Sequence, residues 1–491
     1  MKKEQQAYRS ILKVTALFGG VQVFQVLLSL IRTKIIAVLL GVNGVGLLGL
    51  LNNTLALLST TTRLGVDQGA IREIAISQQE GRIAQLATIV HRWSFFVGLM
   101  GACITLSLAP QLSKWSFGNE QYTWAYSWLA CTLLFDALTR GKLALFQGLR
   151  KFKTLAKANL IGASIALLLS LPIYLLWGEK GIVPALLVTY ICTFLCTYWF
   201  YRKEKIEHAP VTLQTTIQQG GAMMQIGVML TISGFAATLC SYLITIYLSN
   251  YGQGLEEVGL YQAGFNLIEK YVGLIFVAMS TDYYPRLSAV NENNVQLKEM
   301  VNQQVIVSLL IICPIICIFL PTAPIIVHLL LSKEFLPIIP FLLWAILGVF
   351  FKVISNSLGY VFIAKKAVGI FIVTDLLSYS TIVITSLVGY YLWGLKGIGM
   401  AYLLSYALYF IQVYWIAKKR YQINFSTELI RLSFIVALLC VSNFLLMQYL
   451  QEQPLLRYSL STVVILISLI YTWKELNKRI DLRQFFQKKH S

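Results

Sequence analysis

The sequence predicts an all-α polytopic membrane protein of about 14 transmembrane helices: two parallel six-helix repeats followed by two further helices. Three observations carry this. First, the 491 residues are 57% hydrophobic and only 12% charged, with a mean hydropathy of +0.69. Soluble domains carry roughly 25% charged residues, so this chain has too few to clothe a water-soluble surface of its size. Second, uncharged runs long enough to cross ~30 Å of hydrocarbon recur along it, over 181–201, 300–332, 376–395, 397–417 and 432–451 among others. Third, a seven-residue motif, Leu-Trp-Gly-x-Lys-Gly-Ile, occurs at 176–182 and again 216 residues later at 392–398.

Taken in order, the apolar runs place helices near 14–40, 44–63, 88–111, 122–148, 154–177, 181–202, 219–249, 255–284, 300–331, 336–364, 367–393, 397–418, 427–450 and 456–474. Met1 to Lys13 is a short charged tail. The span after it has no small-residue cleavage site, so no removable signal peptide is expected. The longest outward connection runs from Pro110 to Tyr122, which leaves no room for a soluble domain.

An even number of spans puts both termini on one side, and the basic residues say which. With the termini inside, only Lys114, Lys180, Lys333, Lys396 and Arg457 fall in outer connections. Arg32, Lys34, Lys270 and Lys352 lie deep in spans, and the other 31 of the 40 Lys and Arg occupy tails, inner loops or inner helix ends. Cytoplasmic termini follow. Most of the net charge of +19 then reports orientation and contact with anionic lipid rather than nucleic acid.

A second match, Val45-Gly46-Leu47 with Asn53 against Val258-Gly259-Leu260 with Asn266, has an offset of 213. Such an offset covers six helices, so both copies insert with the same orientation. Parallel repeats of this kind are a transporter architecture, with substrate held between the lobes. The expected organisation is a first lobe at 1–205, a cytoplasmic linker at 206–218, a second lobe at 219–420, and two additional helices with a basic tail at 421–491.

Ionisable residues at membrane depth are costly and usually face an interior or an aqueous cavity. Arg32 and Lys34 lie on the first span, about 200° apart around the helix. Asp136 and Arg140 sit at i,i+4 on the fourth, close enough to pair. Glu269 and Lys270 lie mid-way along the eighth span, Lys352 mid-way along the tenth, and Asp375 on the eleventh nearer the cytoplasm. No residue on the same helix obviously neutralises Arg32 or Lys352. Arg32, Lys270 and Lys352 are therefore the leading candidates for holding an anionic substrate, with Arg140 and Lys34 as further candidates. Asp136, Glu269 and Asp375 are candidates for coupling or charge pairing. At the offset of 216, Lys352 corresponds to Asp136, an acid and a base at equivalent positions.

No catalytic residue, metal or cofactor is expected. There is no phosphate-cradling GxxxxGK[ST], no nucleophile–base pair and no CxxC. The eight cysteines lie in apolar runs and read as core residues. The four histidines are scattered.

The sequence also resembles the Wzx-type O-antigen and polysaccharide flippases of the multidrug/oligosaccharidyl-lipid/polysaccharide exporter superfamily. The resemblance rests on Leu40-Gly41-Val42-Asn43-Gly44-Val45-Gly46, on Leu64-Gly65-Val66-Asp67-Gln68-Gly69-Ala70-Ile71-Arg72-Glu73, and on Phe146-Gln147-Gly148-Leu149-Arg150-Lys151-Phe152. It implies a MATE-like, V-shaped pair of lobes. The implied activity flips an undecaprenyl-diphosphate-linked oligosaccharide to the outer leaflet, with other polysaccharide-assembly proteins as partners. The two extra C-terminal helices look like those of the lipid II flippases. Two alternatives stay open: an ion-coupled multidrug exporter of the same superfamily, and a membrane polysaccharide polymerase or ligase. Five intramembrane cations against three acids favour an anionic substrate over a cationic drug, and the short outer connections argue against the enzyme.

Overall fold

The computed structural model describes residues 2–63, 65–77, 82–252, 254–278 and 283–479, with the side chains of 2–23, 222, 226, 229, 230, 270–272, 274, 275, 277 and 278 outside that description. Regular structure among the described residues is helical. The elements are α1 (Lys2–Arg63), α2 (Val66–Ser77), α3 (Ile83–Phe117), α4 (Thr123–Gly148), α5 (Phe152–Trp177), α6 (Ile182–Lys203) and α7 (Leu213–Tyr251). They continue with α8 (Leu255–Ala278), α9 (Tyr284–Ala289), α10 (Asn294–Leu330), α11 (Ile339–Ala364), α12 (Val368–Tyr421), α13 (Thr427–Tyr449) and α14 (Pro454–Arg479). The short helices α2 and α9 stand where the sequence reading placed connections.

Nine segments among the described residues are long and apolar enough to cross a membrane, three of them 40, 52 and 54 residues long. One crossing takes about 20 residues, so these three exceed what a single pass needs. Each breaks part-way. The break falls at Gly41 (φ 63) in α1, at Gly178 (φ 53) between α5 and α6, and at Trp393–Gly394 (glycine φ 60) in α12. Glycine supplies this left-handed backbone at little steric cost. In α12 the break reverses the chain. The hydroxyls of Thr385 and Ser405 meet at 2.7 Å, and Gly389 packs against the Gly397 carbonyl, so the two legs run antiparallel.

Residues 216 apart adopt matching local geometry. Gly178 and Gly394 share φ/ψ of 53/−131 and 60/−145. Arg150 and Lys366 are both left-handed, at φ 56 and 57, and the next residues, Lys151 and Ala367, donate to Phe146 and Phe362 at 2.8 Å each. Phe135 packs on Phe194 at 5.5 Å, and Phe351 on Phe410 at 6.0 Å. Phe194–Tyr198 and Phe410–Tyr414 stack at 5.9 and 5.8 Å.

The chain divides into two compact units, Met1–Ala263 with Leu330–Glu334, and Gly264–Leu329 with Phe335–Ser491. This division differs from the expected linker at 206–218, and α7 is the reason. It packs along its length on α1, α2 and α3. A Cβ on Gly227 would lie 2.0 Å from the Gly65 carbonyl oxygen, an approach that only two glycines allow. Asn53 donates to Thr245 at 2.8 Å, and Asn250 to the Trp115 carbonyl at 2.7 Å. The segment before α7 and the first turn of α7 are fastened to α3: Thr88 donates to the Ala209 carbonyl, Arg92 to that of Val211 and Trp93 to that of Thr216, at 2.8–3.0 Å. At the end of α6, Lys151 donates to Glu204 at 2.7 Å and holds its carboxyl below the usual range.

In the second unit α10 and α11 form the core. The last hairpin docks on α10 through polar bonds: Asn443 donates to the Cys317 carbonyl at 2.6 Å, and Thr472 to that of Leu310 at 3.1 Å. Such bonds join helices where lipid supplies no hydrophobic drive between them. Trp115, Trp124, Trp177, Trp393 and Trp473 all remain exposed, in keeping with interfacial positions.

Candidate functional site

Each unit holds a polar cluster built from several helices. In the first unit Asp136 of α4 is the hub. Arg140 Nε donates to it at 2.9 Å and Ser59 Oγ at 2.6 Å, while Arg63 Nε lies 3.9 Å away. Arg63 also pairs with Asp67 of α2 at 2.8 Å. Two acids thus meet two arginines. Tyr190 on α6 lies within electrostatic reach of Asp136, Arg140, Arg63 and Arg32. Arg32, on the first leg of α1, has no hydrogen bond or ion pair among the described residues. It lines a cavity of about 300 Å³ with Ser29, Thr189 and Thr193.

The second unit reverses the charge. Lys352 of α11 is buried, 7% exposed. Its ammonium pairs with Glu269 of α8 and donates to Tyr402 Oη at 3.2 Å, and Tyr402 donates in turn to Glu269 at 3.0 Å. The rings of Phe276, Tyr402 and Tyr406 surround the same nitrogen at 5.4, 5.7 and 5.1 Å. Such a cage attracts a cation through the ring quadrupoles. Asp375 accepts from Tyr409 at 3.2 Å and lines a cavity of about 260 Å³.

The structure therefore joins Asp136 with Arg140 and Glu269 with Lys352. Lys352 finds its acid partner not on its own helix but on another, 83 residues earlier. Lys34 is tied to the Leu331 carbonyl, so its charge is held at the end of α10. The Lys270 side chain lies outside the described residues.

Cys240, Cys313, Cys317 and Cys440 are buried, as core residues are, whereas Cys103 and Cys131 are exposed, against that reading. The rings of His91 and His208 approach to 6.2 Å, and the sulfurs of Cys313, Cys317 and Cys440 lie within 4.8 Å of one another.

A family model described as "Polysaccharide biosynthesis protein" matches residues 35–340. The chain belongs to that polysaccharide biosynthesis family. Curated relatives of this family member include the lipid III flippase of Escherichia coli (strain K12), 24% identical over 391 residues, covering 77% of this chain and 91% of the relative. The fold of this chain is similar to that of the lipid II flippase MurJ, solved in an inward closed conformation, with a TM-score of 0.71, 11% identity, and coverage of 94% of this chain and 99% of that one. An inward-facing multidrug resistance MATE transporter of the MOP superfamily matches with a TM-score of 0.68, 13% identity, and coverage of 81% and 94%. This polysaccharide biosynthesis protein thus has an all-α polytopic membrane fold of MurJ- and MATE-like architecture.

Sequence reasoning missed several residues of this family member's clusters. Arg63 and Asp67 sit at a helix end, where a charge reads as water-facing. Tyr190 and Tyr406 are hidden among 26 tyrosines, yet they are 216 residues apart, and that offset could have found them. Lys142 of α4 was also passed over. It is 4% exposed and caged by Phe194, Tyr198 and Tyr201 at 5.3–5.6 Å.

Proposed function

We propose that this chain flips undecaprenyl-diphosphate-linked oligosaccharide repeat units, of O-antigen or a similar surface polysaccharide, from the cytoplasmic to the outer leaflet. It does so by alternating access between two six-helix lobes, in 14 crossings with both termini cytoplasmic. Anionic lipids surround it, and polysaccharide-assembly proteins supply and consume its cargo. The observation that carries this reading is the buried Lys352–Glu269 pair beside a polar cavity. A diphosphate can take the place of Glu269 on Lys352, and Glu269 reclaims the lysine when cargo leaves. Arg32, at its own cavity and without an acid partner among the described residues, gives a second anion contact, joined by Lys270, Arg140 and Lys34. Several moderate contacts suit release better than one deep site. An ion-coupled exporter of organic cations has Asp375 and its tyrosines in its favour, but it leaves Arg32 without a role.

The test is glycan surface display with protein level measured in parallel. Arg32→Ala, Lys270→Ala and Lys352→Ala are each expected to insert normally and impair display, with Arg32→Lys and Lys352→Arg retaining more activity. Full display by the triple alanine variant at normal abundance would overturn the proposal. For orientation, cysteines placed at Asn119 and Glu452 are expected to react with an impermeant maleimide from outside, and one at Lys205 only after permeabilisation. Labelling of Lys205→Cys in intact cells would reverse the topology.

A further inference from the structure

Lys352, Asn356 and Tyr360 stand at i, i+4 and i+8 on α11, and so on one face of it. Tyr402, Tyr406 and Tyr409 repeat that pattern on the second leg of α12, at i, i+4 and i+7. The stripe has two chemically distinct ends. At one end are Lys352, Glu269 and Tyr402. At the other is the cavity of about 260 Å³, lined by Asn356, Tyr360, Asp375, Tyr379, Tyr406 and Tyr409 together with small and apolar residues, and, among the described residues, by no Lys, Arg or His. Tyr406 belongs to both ends: its ring faces the Lys352 ammonium at 5.1 Å and also lines the cavity.

We infer that this cavity is a sugar subsite, which takes the hydroxyl-rich ring attached to the diphosphate while Lys352 takes the phosphate. This rests on the flippase reading above. A cavity with no cation among its described lining does not suit phosphate. Tyrosine faces offer flat apolar surface to the C–H side of a pyranose, and their hydroxyls, the Asn356 amide and the Asp375 carboxylate offer donors and acceptors for its hydroxyls. A few placed polar groups on an aromatic wall fix a ligand's orientation. A carboxylate among aromatic rings also suits an organic cation. The neighbouring lysine end argues for one ligand with an anionic end and a neutral polyhydroxyl end.

The test is calorimetric binding to the purified full chain. The probes are a ten-carbon prenyl diphosphate, bare or carrying N-acetylglucosamine, galactose or glucose. At least one glycosylated probe is expected to bind about tenfold more tightly than the bare one, the equivalent of 1.4 kcal/mol. Asp375→Asn combined with Tyr360→Phe is expected to bring that probe down to the bare level. Unchanged affinity for the bare diphosphate shows that this variant is folded. Lys352→Gln is expected to weaken all four probes. Equal binding of all four by the unaltered protein, with Lys352→Gln still weakening each, would remove the sugar subsite and leave the diphosphate reading standing. Tetraphenylphosphonium binding that Asp375→Asn abolishes would make the cavity a cation site instead. No binding of the bare diphosphate, and none of the glycosylated probes, would overturn the flippase reading itself.

Discussion

Glu269→Ala is expected to lower the folded yield far more than Lys352→Met, although both remove the same ion pair. In the first variant the ammonium of this buried lysine stays among Phe276, Tyr402 and Tyr406, with the Tyr402 hydroxyl but without the Glu269 carboxylate. Removing one partner of a buried pair costs about 3–5 kcal/mol, because the remaining charge is uncompensated. In the second the buried charge itself is gone. A methionine of similar volume fills an aromatic pocket, and such apolar replacements are often neutral or stabilising by ~1–4 kcal/mol. Glu269 is the more exposed partner, its side chain 33% accessible, so once alone it can reach water. Adding Lys352→Met to Glu269→Ala should therefore restore yield, while neither lysine-less protein displays glycan. Size-exclusion profiles and thermal unfolding of the three variants measure the first effect, and surface display the second. Equal instability of the two single variants would show that the pair is not an asymmetric, lysine-centred site. Full display by the double variant would remove it from the mechanism.

The sequence disclosed the parts of this site more readily than their pairing. Asp136 and Arg140 were legible as a pair because i,i+4 spacing on one helix dictates proximity. Lys352 and Glu269 were each singled out by depth, but their meeting depends on how α8 packs on α11, which no spacing encodes. The hairpin turn of α12 was legible because Trp-Gly before Lys-Gly marks a turn at an interface. The continuity of α1 through Gly41 was not, since a helix needs only one residue to bend. The placement of α7 with α1–α3 could not be read from the repeat. A repeat states what a segment resembles, whereas packing depends on which glycines meet. The offset of 216 did carry one finding to the structure. Asp136 and Lys352 occupy equivalent positions, each on the helix that presents Phe135 or Phe351 to an equivalent partner ring. One position of the repeat thus carries an acid countered by arginines in one copy, and a base countered by a glutamate in the other.

The second large effect is expected at Gly46 and Gly259, the two glycines that correspond at the offset of 213. They cross each other reciprocally: a Cβ on Gly46 would lie 2.0 Å from the Leu255 carbonyl oxygen, and a Cβ on Gly259 would lie 2.0 Å from that of Val42. The obstructing atoms are backbone, so no rotamer change relieves the clash, and α1 and α8 must part. In the orientation proposed above this crossing is at the outer end. Gly227 makes the equivalent approach to Gly65 at the inner end, again at 2.0 Å from a carbonyl oxygen. On the alternating-access reading proposed above, the two crossings close opposite ends of the pathway, so alanine at each is expected to displace access in opposite directions. In Gly46→Ala or Gly259→Ala a cysteine replacing Asn53, which otherwise donates to Thr245, should become reactive to an impermeant reagent from outside. In Gly227→Ala the same cysteine should remain protected from outside. All three variants should lose most glycan display, because alternating access needs each gate to close as well as open. Unchanged outside labelling in Gly46→Ala and Gly259→Ala, together with normal display, would show that the crossing is packing alone and takes no part in gating.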